Sequence, residues 1–209
     1  MTNDQDNLSK RLEGCYTGVV HDVMRAMGLR NFVLPHEIRP ILAERSLAGP
    51  VFTLSGHLDE TLEAHQTYLE WTGFLSRAKP GHVVICQPND LSLALMGELS
   101  AETLNARHVR GYIVDGGCRD VDFILKLGFR VYCRYYTPRD IVGSWIPDGF
   151  DVPIRIGDVT IQPGDYVCAD RDGVCLIPGD RVEEITTLAE AAMQSWRERR
   201  WVDITELDA

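Results

Sequence analysis

Three observations on this chain of 209 residues predict an α/β fold. Before residue 151, apolar runs of strand length alternate with segments that repeat at helical spacing. From Asp151 onward the texture changes to short β segments separated by Gly, Pro and Asp clusters. A charged amphipathic helix over residues 181–200 closes the pattern. No linker is long enough to separate domains, and no internal repeat or low-complexity tract interrupts the chain. One domain over residues 1–209 is therefore expected, with a β-rich C-terminal part and a closing helix.

Taken in order, residues 4–29 read as helical, because Leu12, Val19, Val20, Val23, Met24 and Met27 recur on one face and Gly28 can end the segment. Residues 38–54 are broken by Pro40 and by Gly49-Pro50, which leaves a short strand at 51–54. Residues 59–76 form a second helical pattern, with Leu62, Leu69, Trp71 and Phe74 available to pack. Lys79-Pro80-Gly81 is a turn, and 82–86 a strand after it. Residues 93–107 read as a helix that begins around the Gly97-Glu98 pair. A strand at 112–114, a short helix at 121–127 and a strand at 130–135 follow. Beyond Asp151, β segments are expected at 152–156, 159–161, 166–169 and 173–177.

Bulk properties narrow the function. A hydrophobic content of 44% with 25% charged residues is ordinary for a globular protein. The net charge of −10 argues against a nucleic-acid backbone or an anionic membrane surface as the main partner. It leaves room for a small anion held in a local basic pocket. The apolar runs are far shorter than the roughly 18 residues a membrane-crossing helix needs. Residues 1–10 are polar, without a basic start or an apolar stretch, so a cytoplasmic location is expected. Cys15, Cys86, Cys118, Cys133, Cys168 and Cys175 form no CxxC pair and mostly sit in strand-like runs, which predicts buried, reduced thiols.

Chemistry concentrates in residues 111–122, Gly-Tyr-Ile-Val-Asp-Gly-Gly-Cys-Arg-Asp-Val-Asp. A strand running into Gly116-Gly117 is expected to expose backbone N–H groups as an anion nest. Arg119 beside it suits a carboxylate or a developing oxyanion, and Asp120 suits a hard divalent cation. Asp115 reads either as a supporting carboxylate or as a turn former. Asp122 reads as a solvated acid of the next helix.

Twenty residues separate Glu98 from Arg119. A helix followed by an adjacent strand brings the helix N-terminus near the strand's C-terminal end. That places Glu98 and the backbone amides of Gly97, Glu98, Leu99 and Ser100 opposite Arg119 and Asp120, and a helix N-terminus is itself an anion site. The histidines His21, His36, His82 and His108 have no metal-like spacing, whereas His57 and His65 flank a helical start, where His65 could form a substrate-side wall. Tyr135, Tyr136 and Arg139 could shape the pocket.

An acidic residue, twenty residues and then Arg-Asp, within Gly-Glu-Leu … Val-Asp-Gly-Gly-x-Arg-Asp, resembles the RraA-like family. The likeness extends to residues 17–22, Lys79-Pro80-Gly81-His82-Val83-Val84, Thr137-Pro138-Arg139-Asp140, Pro163-Gly164-Asp165, Asp172-Gly173-Val174 and Pro178. That family includes metal-dependent class II aldolases for 4-hydroxy-4-methyl-2-oxoglutarate and 4-carboxy-4-hydroxy-2-oxoadipate, and regulators of RNase E. The resemblance implies an αββα-type sandwich akin to the swivelling phosphohistidine domain, assembled as a homotrimer or hexamer with sites near subunit boundaries. It further implies Asp120 as the contact to Mg²⁺ or Mn²⁺, Glu98 acting on the metal through water, and Arg119 facing the keto oxygen and carboxylate of a 2-oxo acid. The amides around Leu99 to Ala101 would hold the pyruvate carboxylate. Residues 57–74 depart from the family's pattern in the distal pocket. Glu190 and Glu198 stand on the closing helix, where some relatives place a glutamate that reaches a neighbouring subunit; neither is a clear match, so the acid/base partner is unassigned.

The expected reaction is cleavage of a carbon–carbon bond next to a 2-oxo acid through a pyruvate enolate, with oxaloacetate decarboxylation as a side activity. The lysines are Lys10, Lys79 and Lys126, none in the motif, so no Schiff-base lysine is needed. The alternatives are a non-catalytic regulator that binds RNase E or another protein, and a methyltransferase. The latter lacks a G-x-G-x-x-G fingerprint.

Overall fold

The computed structural model describes residues 3–201; the expected domain span of 1–209 runs past them at both ends, and residues 1–2 and 202–209 lie outside the described ones. The chain opens with α1 (Asn3–Glu13) and α2 (Thr17–Ala26), two helices where one helical segment was expected. Gly14 donates to the carbonyls of Lys10 and Arg11 and ends α1. The start of α2 is held from far away. Asp170 accepts from the Thr17 N–H at 2.8 Å and from its hydroxyl at 2.7 Å. A tertiary contact of that kind leaves no local signal for a helix break.

After β1 (Arg39–Pro40) comes β2 (Leu47–Leu58), longer than the expected 51–54. It continues through Gly49-Pro50 because the bare glycine lets Arg110 cross: a Cβ on Gly49 would lie 2.7 Å from Arg110 Cδ. The next elements are α3 (Ala64–Arg77), β3 (Val83–Gln87), α4 (Glu98–Ala106), β4 (Gly111–Val114), β5 (Gly117–Cys118) and α5 (Val121–Leu127). Then follow β6 (Val131–Cys133), β7 (Tyr135–Tyr136) and β8 (Trp145–Phe150). The expected strand at 130–135 is thus two short ones. Strand β8 lies where no element was expected, and its Pro147 sits opposite Gly56, where the register shifts. The C-terminal part holds β9 (Ile154–Ile156), β10 (Val159–Ile161), β11 (Tyr166–Asp170), β12 (Gly173–Ile177) and α6 (Val182–Glu198).

The main sheet runs β1-β6-β4-β3-β2-β11-β12, with β8 added to β2. Strands β2, β3, β4 and β6 are parallel, and the other pairs are antiparallel. Strand β2 bridges the two parts: Leu47 to Pro50 pair with β11, and Val51 to Ser55 with β3.

Side-chain alternation sorts the core into layers. Val84 and Cys86 of β3 face α3, α4 and α5, while Val83 and Ile85 face an inner layer shared with β9 to β12. On β12, Val174 and Leu176 join that inner layer, and Cys175 and Ile177 turn outward to α1, α2 and α6. Helices therefore cover both outer surfaces, the αββα order. Strands buried on both faces need apolar residues at every position, which is why 83–86 reads as a continuous apolar run. All six cysteines are buried and free. Burial pushes Cys15 up to about 11, and Cys86 and Cys175 up to about 12. Among the described residues no helix is long and apolar enough to cross a membrane.

Candidate active site

The site lies beyond the carboxyl ends of β3 and β4, where ligands collect in open α/β sheets. The segment that leaves β3 returns in extended form along β5. Leu95 N–H bonds the Gly117 carbonyl at 3.0 Å, Gly117 N–H bonds that of Leu93 at 3.1 Å, and Arg119 N–H that of Met96 at 2.9 Å. Close approach is possible because Gly117 has no side chain; a Cβ there would sit 2.7 Å from the Leu93 oxygen and from Tyr135 Cε2. This corrects the expected anion nest. The Gly117 amide is used inside the protein and is not available to an anion, and the missing side chain there serves packing.

The ladder ends at Gly97, and α4 starts at Glu98 against Arg119 and Asp120. A Cβ on Gly97 would lie 2.7 Å from Asp120 Oδ2 and 3.2 Å from the Arg119 side chain. Asp120 stands at the N-cap position of α5 with φ 55° and ψ 35°, a left-handed conformation that costs free energy in a non-glycine residue. It does not cap its own helix. Its Oδ2 instead accepts the Glu98 N–H at 3.1 Å, across the pocket. Arg119 Nε lies 3.4 Å from the same oxygen, and its Nη1 donates to Asp140 Oδ2 at 3.0 Å. Asp140 is itself fixed, accepting the Val142 N–H at 3.2 Å.

These groups open into a cavity of about 290 Å³. Its lining includes Gly97, Glu98, Leu99, Ser100, Arg119 and Asp120, so the two halves of the expected site, at the start of α4 and at the Arg-Asp pair, come together there. Ala101 does not contribute an amide, because its N–H is spent on the Gly97 carbonyl at 3.0 Å. The Leu99 and Ser100 amides have no acceptor among the described residues and face the positive end of the α4 dipole. Nor does the Glu98 carboxylate have a hydrogen-bond or ion-pair partner among them.

Other candidates fall elsewhere. Asp115 pairs with Arg134, Asp122 is exposed, and neither lines the cavity. His65 is exposed on α3 and outside the lining. Tyr135 and Arg139 brace the extended segment instead, through bonds to the Leu93 carbonyl at 3.3 Å and to Ser92 Oγ at 3.4 Å. Glu190 is held by Arg11 and Glu198 by Arg200 and Gln194, within the chain.

Sequence reasoning missed Asp140 as a partner of Arg119, although Thr137-Pro138-Arg139-Asp140 was already distinctive. It also missed Ile141 and Val142; the wall expected from residues 57–74 is present, but formed by Tyr68, Trp71 and Leu75 of α3 rather than by His65. There Trp71 Nε1 donates to Ser100 Oγ at 2.9 Å while its ring packs on Phe74 and Trp145.

Protein DlpA of Legionella pneumophila subsp. pneumophila is 26% identical over 181 residues, covering 86% of this chain and 29% of that protein, so the chain spans less than a third of its length. A protein of Halalkalibacterium halodurans with the provisional name 4-hydroxy-4-methyl-2-oxoglutarate aldolase is 29% identical over 164 residues, covering 78% of this chain and 73% of its own. A solved structure described as one of the novel cellulases from microbes associated with the gut ecosystem superposes with TM-score 0.87 at 29% identity, covering 95% of this chain and 89% of that one. The RraA-like family model, Aldolase/RraA, matches residues 17–176, a span that contains every residue lining the cavity, and the chain belongs to that family.

Proposed function

We propose that this chain is a divalent-metal-assisted lyase that cleaves a 4-hydroxy-2-oxo acid to pyruvate and a carbonyl product. The observation that carries the reading is the meeting of Arg119, Asp120 and the free amides of α4 at one end of a cavity of about 290 Å³. A 2-oxo acid is a carboxylate beside a keto oxygen, and these donors suit both. The Leu99 and Ser100 N–H groups receive the carboxylate. Arg119, fixed by Asp140, offsets the negative charge that gathers on the 2-oxo oxygen as the C3–C4 bond breaks.

Mg²⁺ or Mn²⁺ would be held by Asp120, with Glu98 acting through water. The donor set fits a hydrated hard cation, because Asp120 Oδ1 and the whole Glu98 carboxylate are uncommitted beside one another in the lining. When bound, such an ion supplies Lewis-acid polarisation of the 2-oxo oxygen. The same enolate forms when oxaloacetate loses CO₂, so decarboxylation belongs to the proposal. Assembly as a homotrimer or hexamer belongs to the same proposal.

The test is a pyruvate-release screen over 4-hydroxy-2-oxo acids and oxaloacetate, with Mg²⁺, with Mn²⁺ and with EDTA. Release that depends on metal and falls to background in Asp120→Ala, with calorimetric Mn²⁺ binding lost in the same variant, is the expected result. Full turnover in Asp120→Ala or Arg119→Ala sinks the mechanism. No release, with tight capture of a nuclease, moves the assignment to the regulator.

A further inference from the structure

The geometry points to a substrate whose half distal to the 2-oxo acid is uncharged and apolar, aryl or branched alkyl, rather than a second carboxylate. This rests on the lyase reading for the position of the 2-oxo acid. The cavity carries three carboxylates, Glu98, Asp120 and Asp140, and among its lining residues Arg119 is the one cation. That guanidinium already spans Asp120 and Asp140. The rest of the lining is largely apolar, with Tyr68, Trp71 and Leu75 of α3 and with Ile141 and Val142. The hydroxyls of its threonines are engaged: Thr67 accepts from the Gly143 N–H, Thr72 donates to the Tyr68 carbonyl and Thr103 to that of Leu99. Trp71 is locked by its bond to Ser100 Oγ at 2.9 Å and by edge packing on Trp145 with ring centroids 6.0 Å apart, so its ring is a fixed surface. A distal carboxylate placed on that wall would lose water and meet no free cation among the lining residues, since Arg119 and the proposed metal ion both serve the 2-oxo acid. An aryl or branched alkyl group would bury its area on the same wall.

In the reaction this implies, R–CH(OH)–CH₂–CO–COO⁻ becomes R–CHO and pyruvate. The C3–C4 bond breaks, its electron pair passes to the 2-oxo acid, the C4 hydroxyl proton is removed, and a proton is returned to C3. No oxidant, reductant or water is consumed.

The experiment compares pyruvate release from 4-hydroxy-2-oxo-4-phenylbutanoate and from 4-hydroxy-4-methyl-2-oxoglutarate in the presence of Mg²⁺. In parallel, tryptophan fluorescence follows binding of two ligands that cannot be cleaved, 2-oxo-4-phenylbutanoate and 2-oxoglutarate. The expected preference for the phenyl member is about 10- to 100-fold in both readouts, the cost of leaving a polar group unpaired in a pocket. Thr72→Arg places a cation at the exposed edge of the same wall on a helix that tolerates arginine, and should narrow the preference toward the dicarboxylate.

Pyruvate release with the dicarboxylate preferred overturns this inference and leaves the lyase reading standing. No release from either substrate, with tighter binding of the phenyl ligand, overturns the lyase reading and supports the apolar distal pocket. Equal binding, binding of neither ligand, or a Thr72→Arg protein with an unchanged ratio overturns the inference.

Discussion

Beneath α1, Arg110 and Arg130 both reach Glu13 at 3.0 Å, and Arg110 also meets Asp6 at 3.2 Å. At the cavity, Arg119 reaches Asp140 at 3.0 Å and Asp120 at 3.4 Å. The residue types match, yet their settings differ. The Arg110 and Glu13 side chains are 12% and 21% exposed, whereas Arg119 and Asp120 are 37% and 36% exposed. The group under α1 is the more enclosed: Glu13 Oε1 takes both guanidinium groups, and the network fastens a helix to the sheet. At the cavity the group is open, since Arg119 and Asp120 border a cavity beside the unpaired amides of Leu99 and Ser100. Charges enclosed between elements hold structure, and charges that border a cavity beside free amides are ready for a ligand.

That contrast can be broken by substitution, starting where the effect is largest. Arg119→Ala should lower kcat/KM for pyruvate release by about 10²- to 10³-fold, the usual cost of losing one donor to a developing oxyanion. Its thermal midpoint should stay close to that of the parent; a large drop would make Arg119 a structural residue like Arg110. Gly97→Ala pushes a methyl group to 2.7 Å from Asp120 Oδ2 and displaces that carboxylate. A loss of about 10- to 100-fold in turnover is expected from a misplacement of this size. Backbone strain adds nothing, because Gly97 sits at φ −147°, open to any residue.

The converse substitution is Glu13→Ala. It strands the Arg130 guanidinium and leaves Arg110 with Asp6 alone, and a urea titration should show a loss of about 1–2 kcal/mol, discounted for partial exposure. Activity per folded molecule should be unchanged. Reduced turnover without reduced stability would erase the distinction between the two networks.

The smallest expected effect lies outside both. Burial, with a minor contribution from Lys79, holds His82 below its ordinary value of 6.5. The unfolded chain then takes up this proton more readily than the folded one. Stability from His82 is full above pH 6.5 and declines as the pH falls through that value toward the lower folded one. His82→Gln should flatten that part of the stability curve between pH 7 and 5.5, as read by urea midpoints.

Much of this arrangement was legible in the sequence where the signal is local. The strand at 83–86 announces itself as an apolar run because both of its faces are covered, and α5 falls at 121–127 as expected from its spacing. The pairing of Glu98 with Arg119 and Asp120 followed from a helix-then-strand register that the chain adopts. What stayed hidden depends on partners distant in sequence. The break before α2 is made by Asp170. The partner of Arg119, Asp140, stands on a loop with no periodicity to mark it. Strand β8 contains Pro147 and Gly149 and is stabilised by pairing with β2 and by Trp145, whose indole N–H is held by the Pro88 carbonyl at 2.8 Å. The role given to Gly116-Gly117 was mistaken because glycine permits close packing as readily as it exposes an amide.

The hold of Asp170 on Thr17 also bears on synthesis. The two residues are 153 positions apart, and Arg11 is 179 from Glu190. On a translating ribosome the first two helices emerge without their cap and without α6 to cover them. Their apolar faces, with Leu12, Val20 and Met24, must wait until the final hairpin and helix are made. Such long-range closure is slow relative to local helix formation. These two helices are thus made well before the elements that cover them and are among the last to find their place, and during that interval their apolar faces need protection from aggregation.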